Sequence, residues 1–167
     1  MSMTLVLGLG NLLLGDEGVG VHVAEELLRD PLPSGVVVLD VGTAVLDALP
    51  AMEAADRIVV VDAVQDGQAP GTVYRVPFDE MHHPEVIGSV HGFDLSRALA
   101  LIGRHDRPEV VVIGVEPELV AWSLELSPPV REALPAILEA VRAEVGASRW
   151  RVPPRALGAE GRMEVVT

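Results

Sequence analysis

TLVLGLGNLLLGDEGVGVHVAEELL, Thr4 to Leu28, decides the fold. It opens as an apolar run of strand length, breaks into glycines, and resumes with Val19, Val23 and Leu27 on one helical stripe. A buried first strand, a glycine turn and an amphipathic helix follow from that order. Asp16 stands where it can cap the helix, and Pro31 and Pro33 mark its end.

Outward from this stretch, apolar runs recur at VVVLDV (Val36 to Val41), RIVVVDAV (Arg57 to Val64), GTVYRV (Gly71 to Val76) and EVVVIGV (Glu109 to Val115), with helical segments between them. The alternation predicts a three-layer α/β/α fold around a twisted, mainly parallel sheet of about five strands. The run at Gly71 follows the previous one through QDGQAP, too short for a crossover helix, and is expected to be an antiparallel edge strand. Helices are expected at FDLSRALALI (Phe93 to Ile102) and at SPPVREALPAILEAVRAEV, where Ser127 is the N-cap and Pro128 the first helical residue. Val130, Leu134, Ile137, Leu138 and Val141 of that last helix face inward, and Pro135 is expected to kink it or delay its start. Residues 1–145 read as one domain; from Gly146 the periodicity fades, so 146–167 read as a C-terminal tail that wraps or frays.

Composition narrows the chemistry. Hydrophobic residues make up 49% of the 167 but aromatics only 3%, so the core rests on Val, Leu, Ile and Ala, as in buried parallel strands. No cysteine is present, which removes disulfides, thiolate zinc sites and cysteine nucleophiles. Twelve arginines, no lysine and twenty-five acids give a net charge of −13, which disfavours nucleic acid and anionic membrane surfaces as partners. The N-terminus lacks the basic region of a signal peptide, and no window holds the roughly 18 apolar residues of a membrane helix. The expectation is a cytoplasmic protein.

The glycine loop does not suit a phosphate. Gly10 and Gly15 have P-loop spacing, but Asp16 and Glu17 stand where Lys and Ser/Thr belong, and Leu13 takes the third glycine position of a dinucleotide motif. Two carboxylates at the mouth favour a cationic occupant, and a nucleotide-binding domain ranks last. Open α/β sheets bind ligands beyond the carboxyl ends of their strands. Asn11, Asp16, Glu17, Asp40, Asp62 and Glu116 lie at those ends, with His91 in the loop before the Phe93 helix. Asp40 and Glu116 fit local turn or cap roles, His22 a structural one, and His82-His83 a solvated loop. Asp62 differs, because an acid between IVVV and AV costs several kcal/mol unless it is paired or ligated. Glu17, Asp62 and His91 together suit a hard to borderline divalent ion and leave coordination positions open.

The blocks GLGNLLLGDEGVGVHVAEEL, VVVDAV, SVHGFDLSRAL and IGVEPELVAWSLELSPPV, in that order over about Leu5 to Val145, resemble the hydrogenase maturation endopeptidases. Those enzymes remove the C-terminal extension of the nickel-iron hydrogenase large subunit and are usually classed as aspartic-type. The resemblance implies a peptidase whose metal-contacting positions are Glu17, Asp62 and His91. The metal is nickel already seated in the precursor, with Zn or Cd as surrogates. The region Pro77 to Val90 carries extra histidines without counterparts in the family pattern, which keeps His82 and His83 as alternatives or supplements to His91.

Two mechanisms follow from the residues. In one, substrate nickel docks on Glu17, Asp62 and His91 and places the scissile bond beside Asp16 or Asp62 acting as general base. In the other the metal itself activates water. The family likeness favours the first, with nickel as a checkpoint. A non-catalytic nickel-sensing chaperone or adaptor for hydrogenase assembly is the reading from another class.

Overall fold

The sequence alternation folds into alternating strands and helices. The computed structural model describes residues 2–82, 91–103, 107–146 and 164–166. In chain order the elements are β1 (Thr4–Leu9), α1 (Val19–Leu27), β2 (Val36–Gly42), α2 (Leu49–Ala54), β3 (Arg57–Ala63), β4 (Val73–Pro77), α3 (Gly92–Leu101), β5 (Glu109–Val115), α4 (Pro128–Gly146) and β6 (Glu164–Val165). Short 3-10 turns precede α1 at Gly15–Gly18 and α2 at Val45–Ala48, and a third follows β4 at Phe78–His82.

The sheet order is β2-β1-β3-β5-β4-β6. The first four strands run parallel, and β4 pairs antiparallel with β5, as the short QDGQAP connection requires. The tail adds what periodicity does not reveal: β6 pairs antiparallel with β4, matching Tyr74 to Val165 and Arg75 to Glu164. A strand of two residues is too short to carry an alternating pattern. Residues 147–163 of the tail lie outside the described residues.

Side-chain alternation along the strands divides the core in two. Leu5, Leu7, Leu9, Ile58 and Val60 meet Met52 of α2 and Leu95, Ala98 and Leu99 of α3 on one face. Val6, Val59, Val61 and Ile113 meet Val19, Val23 and Leu27 of α1 and Val130, Ile137 and Val141 of α4 on the other. Each Val, Leu, Ile or Met among them contributes about 1.5–3 kcal/mol on burial. Among the described residues no helix is long and apolar enough to cross a membrane.

Two expectations about helices are corrected. α4 starts at Pro128, so Pro135 does not delay it but lies inside the helix. An internal proline costs about 3 kcal/mol, a penalty matched by the completely buried Val130, Ile137 and Val141 on either side of it. Asp16 does not cap α1: the N-cap is Gly18, with no side-chain bond, and the Asp16 carboxylate is engaged elsewhere.

α1 lies unusually close to the sheet. A Cβ on Gly8 would stand 2.2 Å from the Gly20 carbonyl oxygen, and one on Gly20 would stand 2.2 Å from the carbonyl oxygens of both Leu9 and Val61. Backbone touches backbone here, which only glycine permits.

At the amino ends of the strands, the buried Glu144 of α4 takes ion pairs from Arg57 of β3 and Arg75 of β4, and Arg57 also meets Glu109 at 2.7 Å. The cluster ties α4 across three strands. Removing the charge leaves two guanidinium groups facing each other with little solvent, so Glu144→Gln is expected to destabilise by about 3 kcal/mol. Asp30→Asn, which opens the exposed Asp30–Arg142 pair, is expected to cost under about 1 kcal/mol. Urea denaturation of both variants checks the ordering.

Candidate active site

β1 ends in a turn that only glycine and a short polar residue can make. Gly10 has φ +129°, and a Cβ there would lie 1.8 Å from the Glu17 carbonyl oxygen. The Asn11 side chain then accepts from the Leu13 N–H at 3.0 Å, and Gly15 turns at φ +61°. The 3-10 turn that follows carries Asp16 and Glu17 at the carboxyl edge of the sheet. Gly18 has an ordinary negative φ, −82°, but a Cβ on it would meet Leu12 Cα at 2.9 Å. Its constraint is packing inside the turn.

Asp16 is completely buried and its two oxygens accept four hydrogen bonds. Oδ2 takes the backbone N–H groups of Glu118 and Leu119, both at 2.8 Å, and the Ser127 hydroxyl at 2.7 Å. Oδ1 takes the Ser127 N–H at 2.7 Å. A carboxylate offers about four acceptor sites, two on each oxygen; here three donors converge on Oδ2 and one reaches Oδ1. Asp16, expected as one of two candidate general bases, clamps the turn after β1 to the segment between β5 and α4. Backbone bonds run alongside: Gly15 N–H to Ser123 O at 2.8 Å, Asp16 N–H to Leu119 O at 2.9 Å and Ser123 N–H to Leu13 O at 3.0 Å.

Glu17, Asp62 and His91 line one cavity of about 100 Å³, together with Ala63, Gln65, Pro117 and Val120. Asp62 is the next-to-last residue of β3, 3% exposed, and its Oδ1 accepts from the Ala63 N–H at 2.8 Å. His91, 6% exposed, immediately precedes α3. Its Nε2 lies 3.5 Å from Glu17 Oε1, is buried, and has no hydrogen-bond partner among the described residues. The structure therefore brings Glu17 and His91 together and sets Asp62 in the same cavity. Among the described residues no three His, Asp or Glu side chains converge closely enough to form a ready-made ion cage. Two carboxylates and an unpartnered imidazole nitrogen nonetheless form a donor set that suits a divalent ion of borderline softness.

The other candidates separate cleanly. Asp40 is exposed on β2 and lies outside the cavity. His22 lies on α1, also outside it, with a buried Nε2 that has no partner among the described residues. His82 ends a 3-10 turn, and His83 lies outside the described residues. Glu116, expected in a local turn or cap role, is instead a long-range pin, accepting from the N–H groups of Asp66 at 2.9 Å and Gly67 at 3.3 Å and from the Tyr74 hydroxyl. Gln65, Pro117 and Val120 escape a search for titratable groups. Their signal is positional, since each follows within a few residues of the carboxyl end of β3 or β5. Two larger clefts, of about 570 and 540 Å³, do not include Glu17, Asp62 or His91.

Burial, followed by the hydrogen bond and the charge of Glu116, pushes the Tyr74 phenol well above its ordinary value. Because the folded value lies above the unfolded one, this contribution to stability is complete below about pH 10 and is lost as pH rises through the folded value. Tyr74 is the chain's sole tyrosine. Ultraviolet titration should therefore show phenolate appearing only above the ordinary tyrosine range, and urea melts should show stability falling as pH rises above about 10. Tyr74→Phe should flatten that decline.

A family model described as hydrogenase maturation protease matches residues 21–144. The chain is 35% identical over 160 residues to the hydrogenase 2 maturation protease of Escherichia coli, covering 90% of this chain and 95% of that one. It is 40% identical over 139 residues to the hydrogenase expression/formation protein HupD of Bradyrhizobium diazoefficiens, covering 78% and 71%. The solved structure of the hydrogenase maturating endopeptidase HybD from E. coli superposes with a TM-score of 0.76 at 34% identity, over 87% of this chain and 93% of that one. The nickel-iron hydrogenase maturation protease HybD from Thermococcus kodakarensis gives 0.72 at 28% identity, over 85% and 98%.

Proposed function

The chain belongs to the hydrogenase maturation protease family, and on that premise we propose that it removes the C-terminal extension of a nickel-iron hydrogenase large-subunit precursor once nickel is in place. The observation that carries the reading is the buried, unpartnered His91 Nε2 facing Glu17 in the cavity that Asp62 also lines. An imidazole nitrogen left without a partner inside a protein is costly unless something arrives to meet it. Substrate nickel is that arrival.

A cavity of about 100 Å³ has room for an ion with a few of its own ligands but not for a polypeptide. The precursor chain therefore lies along the rim, with its nickel inside and the scissile bond beside it. Glu17 and His91 hold the ion from one side. Asp62 is the acid placed to take a proton from the attacking water, since Asp16 is committed to its four donors. The proton then passes to the leaving amine as the peptide bond breaks. Fixing the bond through the metal supplies positional advantage, and a precursor without nickel lacks the anchor.

The first test is a mass loss at the C-terminus of nickel-loaded precursor, with nickel-free precursor left intact. Binding without cleavage would instead identify a nickel-sensing adaptor. Asp62→Asn should bind loaded precursor nearly as well as wild type yet cut it at least about 100-fold more slowly in single-turnover assays. Parallel loss of binding would make Asp62 a metal contact only. His91→Ala should lose weak binding of Ni²⁺ or Cd²⁺ seen calorimetrically in the wild type. Equal binding would shift the imidazole role to His82 or His83.

A further inference from the structure

The segment clamped by Asp16 and the turn facing it hold several apolar side chains out in solvent. Leu13, Leu119, Val120, Trp122 and Leu124 are all exposed, Trp122 at 79% and Leu124 at 62%. These five make up half of the ten large apolar side chains exposed among the described residues. They lie on two stretches zipped together by the Ser123–Leu13 and Gly15–Ser123 backbone bonds. Exposed apolar side chains concentrated on two hydrogen-bonded stretches mark an interaction surface, and an exposed tryptophan is a common anchor.

Its position identifies the occupant. Val120 belongs both to the patch and to the wall of the cavity that holds Glu17, Asp62 and His91. Through Val120 the patch is continuous with the wall of the cavity, so a chain seated on the patch lies beside the cavity. Glu118 and Glu125 are exposed within the same segment, and the whole chain carries −13, so an anionic lipid surface or a second copy of the chain is repelled.

We propose that this apolar rim is the docking platform for the polypeptide substrate, gripping an apolar stretch of the precursor next to the cleaved bond, with neutral or basic residues at the margins of that stretch. The inference rests on the chain acting as a processing protease. It adds a recognition element that is independent of the metal: nickel reports readiness, and the rim supplies affinity.

The test is single-turnover cleavage of nickel-loaded precursor over a range of enzyme concentrations. For the double variant Trp122→Ala/Leu124→Ser, and in weaker form for Trp122→Gln, the half-saturating concentration should rise about tenfold or more. The maximal rate should stay within about twofold of wild type. Leu28→Ser, which removes an exposed leucine just beyond the end of α1, should change neither. Wild-type saturation by the double variant or by Trp122→Gln would overturn the proposal. So would Trp122-dependent pelleting with phosphatidylserine vesicles, or a Trp122-dependent dimer in sedimentation. If wild type itself does not cut, the processing reading fails separately, and calorimetric titration with intact precursor still decides the rim: binding lost in the double variant supports it, equal binding sinks it.

Discussion

The Asp16 carboxylate holds the carboxyl edge together. Three backbone N–H groups and one hydroxyl, spread between Glu118 and Ser127, converge on a side chain more than a hundred residues away in sequence. Hydrogen bonds to a carboxylate are about twice as strong as neutral ones, and the two from Ser127 are buried together with their acceptor. Without the Asp16 side chain the connection from β5 to α4 keeps only its backbone bonds to the turn carrying Glu17, and the N–H groups of Glu118, Leu119 and Ser127 lose their common acceptor.

Much of this architecture is legible in the sequence. β1 and β5 fall on the runs that periodicity marks, because strands buried on both faces carry continuous Val, Leu and Ile. Asp62 stands out for the same reason: an acid inside IVVV-DA has no inexpensive explanation. Its placement in the cavity follows from being the last polar residue of a central strand. Glu17 and His91 are legible only by type, and folding supplies their approach to 3.5 Å.

Asp16 marks where such reading stops. An acid just before a helix has two uses, capping its own helix or reaching to a distant segment, and both leave the same local pattern. What separates them is the path of the Glu118–Ser127 connection, which no window of residues around position 16 contains. Glu116 and the two-residue β6 are hidden in the same way, their partners lying 42 to 50 residues away for the one and on β4 for the other. Pro135 misleads for a different reason. A local penalty is visible in the sequence, while the burial on both sides that outweighs it is a property of the packed helix.

The contact between Gly8 and Gly20 has a consequence for precision. Two main chains in van der Waals contact have no rotamers between them, so the height of α1 above the sheet is set by bond geometry and not by side-chain packing. Glu17 enters the cavity from the turn that leads into α1, and Asp62 from the strand on which α1 rests. Their separation is therefore referenced to a rigid spacer. Rotamer exchange in either half of the core can soften the molecule while leaving this gauge unchanged, and a Cβ at either glycine would reset it.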